Sequence, residues 1–299
     1  MRVRDLTAGQ EIDQVLLVRA SDHRRLVLGD RTGTLEAQPR EDVAPGTCVR
    51  VAGRVEPRGK LTIAALRPAG EAEYALDDLV DGPRIPVERM EADLRELLAT
   101  IQCRHLRALL DAVFGPGTRT WELFRDAPAA KRYHQAYRHG LLEHSLTVAQ
   151  SVSAISATFG GVDRDVAVTG ALLHDIGKLD AYTADPLAID MTDLGKLQGE
   201  IPLGYYRVRR LIEDLPGFPS ELAVAVLHII LSHHGQLEHG SPVVPWTREA
   251  TLVHMIDNLG GRLGSFDRLQ KELPDGSSWS GWDRVLGGGA WFGAGREAA

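Results

Sequence analysis

Near residue 80 the chain changes its hydrophobic period, and no other feature limits its fold as much. Before that point the apolar residues come in short runs, "DQVLLVRA", "RRLVLGD", "GTLEAQP", "TCVRVAGRV" and "KLTIAALRP", rich in Val, Leu, Ile and Thr. Gly, Asp and Pro divide them in "GDRTG", "APG" and "EPRG". Runs of that length between turn residues read as strands. Five of them predict a small barrel, and the OB-fold is the five-stranded candidate. From Val87 on, "ERMEADLRELLATIQCRHLRALLDAVFG" has helical spacing, and "GPG" at 115–117 ends that helix. "LLEHSLTVAQSVSAIS", "DVAVTGALLHDIGKL", "ELAVAVLHIILSHHG" and "TREATLVHMIDNLGGRLGSFDRLQKEL" predict four more helices, divided by polar loops with Pro and Gly. The expected fold class is multidomain: a small N-terminal OB-like β-barrel at 1–72, a helical connector at 73–130, an all-α bundle at 131–273, and a Gly- and Ser-rich tail at 274–299, poorly ordered at its end.

Composition narrows the function classes. The 299 residues are 43% hydrophobic and 25% charged, as in ordinary globular proteins. No apolar run approaches the ~20 residues that span a bilayer, and "MRVRDLTAGQEIDQ" lacks the apolar core of a secretory signal. The expectation is a cytoplasmic protein with no membrane partner. Cys48 and Cys103 form no CxxC, which fits a reducing compartment and argues against a thiolate zinc site. The net charge of -7 excludes a generally basic nucleic-acid binder, but residues 1–73 carry +1, leaving -8 for the rest. The N-terminal segment is thus the part least repulsive to a polyanion.

Each of the four later helices places polar residues where apolar ones belong. They are His144 in "LLEHSL", His174 and Asp175 in "ALLHDIGKL", His233 and His234 in "LSHHG", and Asp257 in "HMIDNLGG". Burying such groups among leucines costs free energy unless they are satisfied. Neighbouring helices of a bundle can build a metal site from inward-facing side chains. Imidazole with carboxylate suits Mn, Fe, Co, Ni or Zn without thiolate.

The order H…HD…D resembles the HD-domain metal-dependent phosphohydrolase superfamily. "YHQAYRHGLLEHSLTVA", "GALLHDIGKL", "LSHHGQLEHGSPVVPWTREA" and "LVHMIDNLGGRL" together resemble the YhaM-type 3'-to-5' exoribonucleases, which place an OB-fold before an HD domain; "LVLGDRTGTLEA" and "TCVRVAGRVEPRGKLTI" resemble that OB-fold. The resemblance runs from residue 10 to about 265 and makes 131–273 the HD domain. It implies that His144, His174, Asp175 and Asp257 hold a first divalent metal. Asp175 would bridge to a second, with His233 and His234 as further ligands. Where the family usually shows a histidine, this chain has Glu200 in "LQGEIPLG". Either a carboxylate replaces imidazole in a retained second site, the favoured reading, or that site is weakened. One or two ions per chain follow, with Mn²⁺ the first choice and Fe, Co, Ni, Zn or Mg compatible.

On this reading a metal-activated water hydrolyses phosphodiester bonds of single-stranded RNA, with single-stranded DNA as a second substrate. Lys178, one helical turn past His174, would give a fixed positive charge to the phosphate. His134 and Arg138 would touch substrate. His139 stands where the family usually has glycine. His254 would support the site from one turn before Asp257, whereas His228, Cys103 and His105 read as ordinary helix residues. In the barrel, Arg25, Arg54 and Arg58 would bind the strand, with Arg19, Arg24 and Arg31 also on hand. No Phe, Trp or Tyr precedes Tyr74, so base stacking there is absent and weak, salt-sensitive binding is expected. A homo-oligomer is compatible with the sequence. Two alternatives stay open: a phosphohydrolase acting on a nucleotide or small phosphoester, or a catalytically weakened nucleic-acid-binding protein.

Overall fold

The computed structural model describes residues 1–39, 43–131, 135–183, 185–274 and 276–293. It divides into two compact units, Met1–Gly82 with Asp185–Ala188, and Pro83–Ala184 with Ile189–Ala299.

The first unit holds five strands: β1 (Glu11–Ser21), β2 (Leu26–Asp30), β3 (Gly33–Ala37), β4 (Cys48–Glu56) and β5 (Lys60–Pro68). They close in the order β1-β2-β3-β5-β4, with β4 back on β1. Only the β3–β5 pair is parallel among these ladders. The OB-like barrel expected from the sequence is present. Alternation supplies the core: Leu16, Val18, Leu26, Leu28, Val49, Val51, Leu61 and Ile63 point inward. Leu17, on the other face of β1, is buried with Leu79 and Val80, next to the short helix α1 (Leu76–Leu79). The β4–β5 register shifts between Ala52 and Gly53. A Cβ on Gly53 would lie 2.4 Å from the Thr62 carbonyl oxygen, so the bulge requires glycine there.

The second unit is helical: α2 (Val87–Ala99), α3 (Arg104–Phe114), α4 (Arg119–Asp126), α5 (Gly140–Ser156), α6 (Arg164–Leu173), α7 (Lys178–Ala181), α8 (Asp193–Gln198), α9 (Glu200–Glu213), α10 (Ser220–Ser232) and α11 (Arg248–Lys271). Side chains of Thr118, Asp163, Thr192 and Thr247 cap α4, α6, α8 and α11. Leu94, Leu110, Phe114 and Phe124 share one core with Leu142, Ala171, Val226 and Val253, so residues 87–126 are built into the bundle.

Three helix expectations need correction. The helix expected through residue 114 is two, because Asp165 Oδ2 accepts from the amides of Gln102 (2.7 Å) and Cys103 (2.8 Å), holding the chain out of helix before α3. The helix expected through Leu179 ends at Leu173, and tight turns follow: Ile176 N donates to Leu173 O and Lys178 N to Asp175 O. The segment read as a loop between the HD motif and the third helix contains α8 and α9. Gly199, at φ 78°, separates them, and Pro202 lies in the first turn of α9, where an amide needs no intrahelical partner. The tail pairs with itself through Ser280 N to Ala290 O and Phe292 N to Ser278 O; the expected disorder falls on 294–299, outside the described residues. No helix among the described residues is long and apolar enough to cross a membrane.

Candidate metal centre

The second unit brings the ends and middles of four helices to one point. α5 presents His144 just over one turn from its start. The chain leaving α6 presents His174 and Asp175, and α11 presents Asp257 from its third turn. His144 Nε2 lies 3.1 Å from His174 Nε2, 3.2 Å from Asp175 Oδ2 and 3.1 Å from Asp257 Oδ1. His174 Nε2 is 3.3 Å from Asp175 Oδ2 and 3.8 Å from Asp257 Oδ1. Beyond α10, His233 Nε2 sits 3.6 Å from Asp175 Oδ1, and His234 Nε2 sits 3.5 Å from Glu200 Oε1. Asp175 thus turns one oxygen to His144 and His174 and the other to His233.

Each imidazole is oriented through its other nitrogen. Nδ1 of His144 lies 3.0 Å from Gln135 Oε1, that of His174 2.7 Å from Ala171 O, that of His233 2.8 Å from Ile230 O, and that of His234 2.8 Å from His239 O. Each partner can only accept, so each Nδ1 carries hydrogen and the neutral ring's Nε2 lone pair faces the centre. Lone pairs and carboxylate oxygens therefore converge. Among the described residues, Asp175 Oδ1 and His233 Nε2 are buried without a hydrogen-bond partner. Such a set of acceptors fits a divalent cation, and His144, His174 and Asp257 place their ligand atoms within 4.8 Å of one another.

Without an ion, protons compensate. Burial pushes the His144 imidazole down, but Asp175 and Asp257 outweigh it and raise its pKa to about 9. Burial raises Asp175 and Asp257, yet Lys178 and His174 hold the first, and His144 and His174 the second, below the usual carboxylate range. Burial lowers Lys178, but Asp175 raises it above its ordinary value. Burial likewise opposes the charged Glu200–His234 pair, which still leaves Glu200 lowered and His234 raised. Desolvation lowers His233.

Lys178 does not stand one turn along a continuing helix. It opens α7 and its Nζ contacts Asp175 Oδ2 at 2.7 Å, mostly buried. Arg138 is bound to Asp126 at 2.6 Å and half exposed. His134 lies outside the described residues. His139 has φ 68°, a left-handed conformation that favours glycine, and Arg125 O holds its ring. His254 Nδ1 is 2.7 Å from His233 O, one residue from the Glu200 partner. In the barrel unit, Arg25 lies near Asp22 and Glu36, Arg54 is exposed on β4, and Arg58 occupies the β4–β5 turn at φ 64°. Arg19 turns its guanidinium onto the carbonyls of Asp30 and Leu79.

Two contributors escaped the sequence reading. Gln135 orients His144, and its amide Nε2 donates to Glu143 Oε2 (3.4 Å), which Tyr137 also meets. Only the polar "HQAY" ahead of α5 hinted at it. Gly177 has an ordinary helical φ of -67°, but a Cβ there would lie 1.9 Å from Glu200 O and 2.4 Å from Gly204 N. Space, rather than backbone freedom, demands glycine.

The match with known proteins follows this geometry. Residues 141–261 match the HD domain family, a span that starts three residues before His144 and ends four after Asp257. Proteins named 3'-5' exoribonuclease YhaM are similar along nearly the whole chain. That of Bacillus subtilis (strain 168) is 29% identical, covering 90% of each chain. That of Bacillus licheniformis is 28% identical with the same coverage, and that of Geobacillus sp. (strain WCH70) is 29% identical over 90% of this chain and 87% of its own. A solved Stn1-ten1 complex from S. pombe aligns with 31% of this chain at 17% identity and a TM-score of 0.21, a level from which nothing follows. The converging histidines and aspartates lie within the span that matches the HD domain family, and along nearly its whole length the chain is similar to proteins named 3'-5' exoribonuclease YhaM.

Proposed function

We propose that the protein is a metal-dependent 3'-to-5' exoribonuclease on single-stranded RNA, with single-stranded DNA as a second substrate. The observation that carries this is the convergence of His144, His174, Asp175 and Asp257 on one point, with Lys178 beside Asp175. These four residues would hold one ion. Asp175 Oδ1, His233, His234 and Glu200 would hold a second, the carboxylate of Glu200 standing in for imidazole. A divalent ion there supplies positive charge to a phosphate and acidifies water, and Mn²⁺ suits the donor set.

The chain's own residues do the rest. Ala171 O and Gln135 Oε1 fix the His174 and His144 rings with their lone pairs inward. Lys178 keeps Asp175 ionised and adds a desolvated positive charge beside the reacting phosphate. Burial excludes bulk water, which strengthens each of these interactions. The barrel offers the strand arginines at two turns, Arg24 and Arg25 after β1 and Arg58 after β4, the loops OB-folds use for oligonucleotides. The domain limits 1–72, 73–130 (its residues 87–126 packed into the core of the bundle), 131–273 and 274–299, a cytoplasmic location and a homo-oligomer belong to the same reading.

One observation favours a second reading, a nucleotide or small phosphoester as substrate: residues 1–73 contain no Phe, Trp or Tyr. Incubating the protein with Mn²⁺ and a 5'-labelled oligoribonucleotide separates them. A ladder of shortening products supports the exonuclease. Turnover of small phosphoesters alone supports the second reading. Retardation without cleavage under several metals would reduce the protein to a binder.

A further inference from the structure

The outer side of α11 and the tail folded along it carry an apolar surface unrelated to the metal centre. Met255, Leu259, Leu263 and Phe266 recur at spacings of four, four and three, which makes one stripe on a helix. At about 100° per residue the stripe lies on the side of α11 opposite Asp257. Residues 278–292 form a small hairpin in which Trp279 faces Trp291 across the strands. This hairpin is fastened to α11: Arg268 pairs with Asp283, Arg262 donates to Val285 O at 3.1 Å, and the rings of Phe266 and Phe292 meet edge to face at 6.3 Å. Trp279, Trp282 and Trp291 project from it. These seven side chains are each between 38% and 72% exposed.

Exposed apolar patches larger than a few hundred Å² mark interaction sites. At about 200 Å² for a large apolar side chain, the seven leave roughly 800 Å² in water, the area each partner contributes to a standard interface of about 1,600 Å² in all. The surface is apolar and aromatic, as homodimer interfaces are, and the nearby cations Arg262 and Arg268 are engaged with the hairpin, which disfavours a polyanion. An apolar stripe along one helix can pack against its own copy about a two-fold axis.

We propose that two copies of this chain pair through the outer face of α11 and the tryptophan hairpin. Sedimentation of the full chain over a dilution series tests this. The wild-type protein should sediment at twice the chain mass of 32.6 kDa and dissociate on dilution. Leu259→Asp with Leu263→Asp, and separately Trp282→Ser, should shift dissociation to at least tenfold higher concentration, with the circular dichroism of the folded chain unchanged. Because exposed side chains are changed, folding should survive; should one variant unfold, the other and the wild-type dilution decide. Acrylamide quenching of wild-type tryptophan fluorescence should increase on dilution. A wild-type protein of 32.6 kDa at every concentration, or variants that dimerise as well as wild type, would overturn the proposal. So would a monomer whose Trp282→Ser variant loses oligoribonucleotide binding, which would make the hairpin a base-stacking platform.

Discussion

Asp30 in the barrel and Asp175 in the helical unit are both buried aspartates, and their surroundings could hardly differ more. Asp30 Oδ2 accepts from Val3 N (2.8 Å), and Oδ1 from Thr32 N (2.7 Å), the Thr32 hydroxyl (2.6 Å) and Gly33 N (3.1 Å). Its charge is saturated by donors within one turn and the adjoining N-terminus. Among the described residues, Asp175 has an oxygen with no donor, histidine nitrogens around it and one lysine. A buried charge satisfied by local amides is architecture, whereas one facing other acceptors is waiting for a cation. The same contrast separates the two cores: the barrel interior is aliphatic throughout its cluster, and the helical interior breaks off at His144, His174 and His233.

The contrast can be broken most decisively at Asp175. Asp175→Asn should take turnover to the assay background while oligonucleotide retention by the protein persists; residual activity near wild type would remove the carboxylate from the chemistry. Gln135→Leu should weaken Mn²⁺ binding by about 10- to 100-fold, the usual cost of losing a hydrogen bond behind a ligand. Unchanged free Mn²⁺ in a spin-resonance titration would show that the His144 ring needs no such anchor. Asp30→Ala should act on stability alone, costing about 1–3 kcal/mol for amides left unpaired, with cleavage by the surviving folded fraction intact. An activity loss larger than the unfolded fraction would contradict the division.

Acidity sharpens the comparison further. The folded pKa of His144 without metal is about 9 against an ordinary 6.5. A raised pKa contributes stability that is full below 6.5 and lost as pH rises through about 9. Chelator-treated protein should therefore melt at lower temperature as pH climbs through that window, and Mn²⁺ should flatten the trend; a melting point that rises with pH would refute the crowding of acceptors. The smallest effect is expected at the barrel surface. Arg58→Ala should raise KM modestly and reduce the salt slope of RNA binding by about 1, and an identical slope would mean that the β4–β5 turn does not meet phosphate.

The barrel was legible because its strands alternate and its turns carry Gly, Asp and Pro, signals that are local. His144, His174, Asp175 and Asp257 were legible because each interrupts an apolar helix face. What the sequence hid depends on distant partners. The break before α3 is made by Asp165, some sixty residues away in the chain. α9 was masked by Gly199, Pro202 and Gly204, which read locally as a loop although Pro202 sits in a permitted first-turn position. Lys178 reaches the centre not along a continuous helix, as its spacing from His174 suggests, but through the turn after Leu173, which sets it on Asp175. Gln135 reaches His144 from outside any periodic pattern, so spacing gave no sign of it.

The contact of Gly177 with the start of α9 has a consequence for how this centre can vary over evolution. One added methyl would wedge the Asp175 side away from the Glu200 side, since it would overlap the Glu200 carbonyl. Swapping imidazole for carboxylate at residue 200 changes the chemistry of that half yet leaves the gauge between the halves untouched. Ligand identity is thus free to drift here, while the missing methyl keeps the spacing.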